Sequence, residues 1–222
     1  MKNLITIGLP SKGRLKDNAA NFLNERGLKV LQSEKERNYF ATIENKSNIK
    51  VIYLHAKEII QRLGDGTLDV GISGLDLLNE SEKNLQDKIN VKLKLDFGGA
   101  NLVVAVPDDW IDVQTIADLE EVAFDIRFKR NTRLRIATKY PNLTNDFLIS
   151  KGVTQYKLVS SLGATETYPF IGSSEIITDI TSTGKTLNDN NLRVLKDGLI
   201  LKSQACLLVS KKSISKTKIL RL

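Results

Sequence analysis

The chain has little of the side-chain equipment that covalent and metal catalysis use most. Its 222 residues include one cysteine, Cys206, and one histidine, His55. A single cysteine excludes a disulfide framework and any multi-cysteine metal site. A single histidine excludes His-rich metal centres and leaves little room for a His-based triad. Long apolar runs are also missing: the longest are five or six residues, Leu102–Val106 among them. No transmembrane helix is therefore expected. The start of the chain, Met1-Lys2-Asn3 and a short run to Leu9, lacks an apolar signal region followed by a small-residue cleavage site. The expected compartment is the cytoplasm. What is present is ordinary for a soluble globular protein: 41% apolar and 27% charged residues. The length allows one large domain or two small ones.

The formal net charge of +7 suggests an anionic partner, and nucleic acid is the usual first candidate. Its distribution argues otherwise. Residues 126–140 carry Arg127, Lys129, Arg130, Arg133, Arg135 and Lys139 without an acid, a local +6. Residues 210–222 carry Lys211, Lys212, Lys216, Lys218 and Arg221 without an acid, a local +5. Removing these eleven charges from the total leaves −4 for the rest. A mildly acidic body with two basic segments points to local anion sites or tails, not to a DNA-wrapping surface.

Short β-branched runs alternate with helical patterns. Strands are predicted at Leu4–Leu9, Leu28–Gln32, Tyr39–Glu44, Ile49–His55, Leu68–Ile72 and Val91–Leu95. Helices are predicted at Leu15–Arg26 (stopped by Gly27), Ala56–Leu63 and from Leu75 to Glu80. A second series begins at Asn101. It has strands at Leu102–Val106, Leu134–Ala137, Tyr156–Val159 and Glu175–Ile180, helices at Thr115–Arg130 and Asn142–Ser150, and a short helix after Gly163. Leu192–Leu201 and Ala205–Val209 read as an extended pair. Such alternation predicts parallel sheets with crossover helices. Two series separated by Phe97-Gly98-Gly99 predict two α/β lobes and a cleft.

Four segments could carry chemistry. Leu9-Pro10-Ser11-Lys12-Gly13-Arg14 is a strand, a turn and a helix start, where free amides and two cations suit an anion; a solvated surface turn is the plain alternative. Glu175 to Leu187 runs a buried strand into a loop with Thr181, Ser182, Thr183, Gly184, Lys185 and Thr186. Its hydroxyls and glycine suit a phosphate cradle, and Asp179 at the strand end could accept sugar hydroxyls. Gly184-Lys185-Thr186 invites a P-loop reading, but that motif needs glycine where Asp179 stands. Leu68 to Asp76, with Asp69, Gly71, Ser73 and Gly74, is again a strand end before a helix; close ligand approach and tight strand–helix packing fit it equally. Gly163-Ala164-Thr165-Glu166 offers a carboxylate, facing a ligand or favouring a helix N-terminus.

These segments, in this order, resemble the ATP phosphoribosyltransferases, which catalyse the first step of histidine biosynthesis. The matching stretches are Leu9-Pro-Ser-Lys-Gly-Arg-Leu15, Asp69-Val-Gly-Ile-Ser-Gly-Leu-Asp76 with Glu80, Ile136-Ala-Thr-Lys-Tyr-Pro141, Gly163-Ala-Thr-Glu166, and Thr178-Asp-Ile-Thr-Ser-Thr-Gly-Lys-Thr-Leu187 with Asn191-Leu192. Any one is weak, and five in order over about residues 4–210 are specific. Only the basic tail follows Ser210, which resembles the short form of the family.

The resemblance implies an α/β fold of two Rossmann-like lobes with a central cleft, like a type II periplasmic binding protein. The lobes would be 1–97 with 202–222, and 98–201, the latter carrying the phosphoribosyl pyrophosphate loop. It implies transfer of phosphoribosyl from phosphoribosyl pyrophosphate to N1 of the adenine of ATP, with Mg²⁺. By resemblance Lys12, Arg14 and Arg37 meet substrate phosphates, and Asp69 and Ser73 join the substrate site. The loop Asp179–Leu187 holds the 5-phosphate, through Thr181, Ser182, Thr183, Gly184, Lys185 and Thr186. Glu166 and Asp179 take ribose hydroxyls and, with them, the metal. Ser182 stands where the family often has an acid, and Lys185 where small or polar residues are common. The implied partner is a regulatory subunit resembling histidyl-tRNA synthetase, with a homodimer inside a hetero-oligomer, and neither nucleic acid nor membrane.

Competing readings are a non-catalytic small-molecule-binding protein of the same fold and, less well supported, a P-loop-like NTPase. His55 reads as structural or surface, Cys206 as a buried thiol and Trp110 as a packing residue.

Overall fold

A computed structural model describes residues 4–32 and 39–220. The chain divides into two compact units, Met1–Gly99 with Gln204–Leu222, and Ala100–Ser203. The first unit begins with β1 (Ile5–Pro10), α1 (Gly13–Glu25), β2 (Val30–Gln32), β3 (Phe40–Ile43), β4 (Lys46–Leu54) and α2 (Ala56–Asp65). It continues with β5 (Val70–Gly74), α3 (Leu75–Glu80), α4 (Lys83–Gln86) and β6 (Ile89–Lys94). The second unit holds β7 (Ala100–Pro107), α5 (Ile116–Arg130), β8 (Leu134–Thr138), α6 (Pro141–Ser150) and β9 (Tyr156–Ser160). A 3₁₀ turn at Thr165–Thr167, β10 (Ile176–Thr181), α7 (Lys185–Asp189) and β11 (Leu192–Ser203) complete it. The chain then returns to the first unit as β12 (Ala205–Ser210) and a C-terminal helical segment containing α8 (Ile214–Thr217).

The first unit is a sheet in the order β2-β3-β4-β1-β5-β12-β6. Here the structure corrects an expectation. Only β1–β4 and β1–β5 pair in parallel, and the remaining pairs are antiparallel. The reason is connection length. Two residues, Glu44 and Asn45, join β3 to β4, and Asn45 takes φ +59°, so only a hairpin can form. Helices cover both faces. Ala19, Phe22 and Leu23 of α1, at i, i+3 and i+4, pack with Ile5, Ile7, Val51 and Leu207 on one face. Ile59, Ile60 and Leu63 of α2 pack with Leu68, Cys206 and Leu208 on the other. Gly71 lets α2 lie close: a Cβ there would meet Ile59 Cγ2 at 2.4 Å. The Leu68–Asp76 segment thus follows its packing reading at Gly71.

The second sheet runs β11-β7-β10-β8-β9, with β8–β9 and β8–β10 parallel and β7 antiparallel to β10 and β11. α5 starts at a capping box: Thr115 accepts from Asp118 N, and the Asp118 carboxylate accepts from Gln114 N and Thr115 N. Those bonds hold the Asp118 carboxyl below its ordinary value. Ile116, Leu119 and Ala123 of α5 then pack with Val104, Ile136 and Ile176. Where a helix was expected after Gly163, the chain makes only the 3₁₀ turn. The basic tail, for which the sequence suggested no structure, folds against the first unit through α8, and Leu220 joins the core there. No helix among the described residues is long and apolar enough to cross a membrane.

Candidate functional site

In the first unit, β1 ends at Pro10 and the chain turns directly into α1. Ser11 N donates to Leu54 O at 2.9 Å, tying the turn to the neighbouring strand. Lys12 is the N-cap, in extended backbone (φ −142°, ψ 156°), and makes no side-chain cap bond. Gly13 follows at φ +67°, a left-handed value that side-chain-bearing residues adopt at a cost. The first turn of α1 contains no acid, so its leading amides and the helix dipole are open to an external anion. Lys12 and Arg14 are exposed, and neither has a hydrogen-bond or ion-pair partner among the described residues. Lys16, by contrast, lies over the Tyr53 ring at 4.9 Å. The turn therefore presents two unpaired cations and a row of amides.

In the second unit the chemistry gathers where β8 and β10 end. Asp179 is 9% exposed; its Oδ1 accepts from Ile180 N at 2.8 Å, and its Oδ2 lies 3.6 Å from Lys139 Nζ. Thr181 Oγ1 accepts from Gly184 N at 2.8 Å, closing a tight loop. Gly184 takes φ +77°, which requires glycine for an unstrained turn. Ser182, Thr183, Lys185 and Thr186 stand exposed around this loop. Their hydroxyls, the ammonium and the first amides of α7 make a surface of donors, the composition a phosphate needs.

Beneath the loop lies a buried hydroxyl network. Thr178 and Thr138 are partners across β10 and β8, and Thr178 Oγ1 donates to Thr138 Oγ1 at 2.6 Å. Thr144 Oγ1, from α6, is 2.7 Å from Thr178 Oγ1 and 3.3 Å from Thr138 Oγ1. Tyr140 N donates to Thr138 Oγ1 at 2.9 Å. These bonds lock the start of α6 onto two strand ends and fix the backbone that carries Lys139 and Asp179.

Glu166 sits in the 3₁₀ turn, half-buried. Its turn is braced by Ser161 Oγ, which donates to Gly163 O at 2.8 Å and lies 2.9 Å from Thr165 Oγ1. Ala164 just before it has φ +25° and ψ 52°. A non-glycine residue there costs about 1–3 kcal/mol, a strain that concentrates at functional sites.

Two expected site residues make structural contacts. Asp69 precedes β5, at the end of the strand away from Gly74, and is 5% exposed. Its Oδ2 accepts from Thr6 N at 2.7 Å and Lys216 Nζ at 2.8 Å, and its Oδ1 from Ser213 Oγ at 2.6 Å. It clamps the C-terminal segment to β1. Ser73 is fully buried, and its hydroxyl donates to Ala56 O at 2.8 Å, pinning α2 to β5. Arg37 lies outside the described residues. His55 caps α2, with Nδ1 accepting from Lys57 N at 3.3 Å. Cys206 is buried, and burial raises its thiol pKa.

Sequence reading missed Lys139 as the neighbour of Asp179, the Thr138–Thr144–Thr178 network and the strained Ala164. Thr138 and Thr178 were visible at strand ends, but their pairing across forty residues was not. The basic run 126–140 is likewise divided by the fold. Arg135 pairs with Glu175 at 2.6 Å, Lys129 pairs with Asp125, and Arg127 bonds Asn131. Arg130 and Arg133 have no such partner among the described residues.

A sequence model described as ATP phosphoribosyltransferase matches residues 55–222. The chain is 49% identical over 209 residues to the ATP phosphoribosyltransferase of Chelativorans sp. (strain BNC1), covering 94% of this chain and 91% of that one. It is 47% identical over 210 residues to that of Brucella melitensis biotype 2 (strain ATCC 23457), with the same coverage. Among solved structures it resembles the ATP phosphoribosyl transferase (HisG:HisZ) complex from Thermotoga maritima, with TM-score 0.74, 24% identity and 98% and 94% of the two chains covered. The amino-acid ABC transporter extracellular-binding protein ytmK of Bacillus subtilis, described as probable, aligns with TM-score 0.56 at 12% identity over 100% of this chain and 90% of that one. The last two show the fold alone, a type II periplasmic-binding-protein-like α/β architecture. The family model and the close relatives go further: this chain belongs to the ATP phosphoribosyltransferase family.

Proposed function

We infer that the donor-rich turns described above serve the reaction of that family. The chain is a pentosyltransferase that moves phosphoribosyl from phosphoribosyl pyrophosphate to N1 of the adenine of ATP. The observation that carries the site assignment is the β10–α7 loop, with Gly184 in left-handed backbone, four surrounding hydroxyl residues and Asp179 at the strand end.

Each group has a part. The loop residues Thr181, Ser182, Thr183, Gly184, Lys185 and Thr186 hold the 5-phosphate. Asp179 and Glu166 accept the ribose hydroxyls, and Lys139 keeps the Asp179 carboxylate turned toward its ammonium. Lys12 and Arg14, joined by Arg37, meet the pyrophosphate or the triphosphate. In the reaction the N1 lone pair forms a bond to the anomeric carbon as the bond from that carbon to the pyrophosphate oxygen breaks. The electron pair leaves with pyrophosphate. Positive charge grows on the sugar and negative charge on the leaving group, so the protein positions two anionic substrates and stabilises charge. No nucleophilic side chain is required, in keeping with a chain that has one cysteine, which is buried, and one histidine, which caps a helix.

Among the described residues no three His, Cys, Asp or Glu side chains gather as a metal-binding group. Mg²⁺ commonly binds through one or two carboxylates together with substrate phosphates, and Asp179 and Glu166 offer that kind of donor. When bound, Mg²⁺ would supply charge neutralisation on the leaving pyrophosphate. We also carry over from the Thermotoga maritima complex a HisZ-type regulatory partner, and expect a homodimer within the hetero-oligomer. The cytoplasm is the proposed compartment.

The test is product formation. Purified chain, with and without its regulatory subunit, is given ATP, phosphoribosyl pyrophosphate and Mg²⁺. The expected result is phosphoribosyl-ATP, identified by mass, with pyrophosphate released. Binding of one ligand without turnover would favour the non-catalytic reading. ATP hydrolysis without the sugar phosphate would favour the NTPase reading.

A further inference from the structure

The second unit has a cavity at the opposite end of its sheet from the phosphate loop. It is lined by residues at the end of β7 (Pro107, Asp108, Asp109, Trp110), at the starts of β8 and β10 (Arg135, Ser174, Glu175), and by Phe170. Its volume is about 510 Å³, within the range of small-molecule sites. β10 is six residues long, so roughly 20 Å separates the cavity from the loop at Thr181–Gly184.

Three observations define what the cavity can take. First, its charge runs against that of the chain. The lining carries three carboxylates and one guanidinium in a protein of net charge +7. The guanidinium is already satisfied: Arg135 donates to both oxygens of Glu175 and to Gly172 O. Arg193, nearby, donates to the carbonyls of Trp110 and Val113. Asp108 and Asp109 are exposed and have no side-chain partner among the described residues, which leaves both carboxylates without an ion pair there. Second, Trp110 and Phe170 supply aromatic surface, and Phe170 is 54% exposed. An aromatic ring beside free carboxylates attracts a cation through its face and a flat apolar body by contact. Third, Ser174 is 2% exposed, and its hydroxyl has no hydrogen-bond partner. Buried polar groups are nearly always partnered, and Ser174 belongs to the cavity wall, so a turn of its side chain brings the orphan hydroxyl to a ligand that completes it.

We propose that this cavity is a binding site for a flat organic cation of the amidinium or guanidinium class, separate from the transferase site. The carboxylates of Asp108 and Asp109 meet the charge, Trp110 and Phe170 contact the flat body, and Ser174 bonds a ligand N–H. The inference stands independently of the transferase reading, since no residue it uses is assigned to that reaction.

Trp110 is the only tryptophan in the chain, so its fluorescence reports on this cavity alone. The full-length protein is titrated with benzamidine, with neutral benzamide as control. The expected result is a saturable change with benzamidine, at a Kd of about 1 mM or below, and none with benzamide. The doubly neutralised variant, Asp108→Asn with Asp109→Asn, should bind benzamidine at least ~10-fold more weakly. Because both side chains are exposed, it should melt like wild type and keep its transferase rate. No saturable change below ~10 mM, an equal response to benzamide, or unchanged binding in the double variant would each overturn the proposal.

Discussion

Asp69 shows how a residue can match a family motif and still serve structure. Its three acceptor bonds join β1, Ser213 and Lys216, so it holds the C-terminal segment in place. Removing the buried carboxylate strands the Thr6 N–H, the Ser213 hydroxyl and the Lys216 ammonium together. Asp69→Ala should therefore cost about 3 kcal/mol of stability, read by urea unfolding. Lys216→Ala should cost less, because the Lys216 side chain is 31% exposed and the carboxylate keeps two other donors. Equal, negligible losses in both would contradict the clamp. Burial raises the Cys206 thiol and, with nearby Asp17 and Asp146, the Tyr53 and Tyr156 phenols. Each folded group then holds its proton to higher pH than its unfolded counterpart. Stability from these groups is present at neutral pH and falls as pH rises past about 9 to 10. The urea midpoint should decline over that window, and Cys206 should react with a thiol reagent only as the chain unfolds. Rapid labelling of the native protein at neutral pH would contradict the burial.

Local elements were legible where local rules govern them. The spacing of Ala19, Phe22 and Leu23 and the stop at Gly27 are sequence-local, and α1 forms within two residues of its expected bounds. The β3–β4 hairpin was misread because strand–helix alternation suggests parallel pairing, whereas a two-residue connection dictates the opposite. The turn at Glu166 is short because Ser161 and Thr165 brace it with side-chain bonds, which periodicity does not reveal. The threonine network was invisible for a related reason: it joins residues 138, 144 and 178, distant in sequence and adjacent only once β8, β10 and α6 assemble. Thr178→Val keeps the shape and removes the central hydroxyl. It should lower stability by about 1–3 kcal/mol, read by thermal unfolding, because Thr144 loses its 2.7 Å partner and Thr138 its 2.6 Å donor, leaving their 3.3 Å contact and the Tyr140 N–H to Thr138. It should also raise KM for the sugar phosphate, since Asp179 follows it directly. An unchanged melting temperature would contradict the bracing role.

At the scale of the molecule, the +7 that first suggests nucleic acid resolves into separate groups with separate uses. Lys212 donates to Asp65 O and Lys216 pairs with Asp69, so part of the basic tail holds the fold. Arg135 and Lys139 are paired within the second unit. Lys12 and Arg14 remain unpaired among the described residues, at an uncapped helix start, as an anion site requires. Motif order made the reaction class readable, whereas the division of the charges into structural and available ones needed tertiary contacts. The most direct test of the account is one time course of adduct formation by the wild-type chain, Arg14→Ala and Thr183→Ala, with regulatory subunit, ATP, phosphoribosyl pyrophosphate and Mg²⁺. The account predicts one pyrophosphate per adduct in wild type and turnover reduced ~10- to 100-fold in each variant, with unchanged melting temperatures. Wild-type rates in both variants would contradict it.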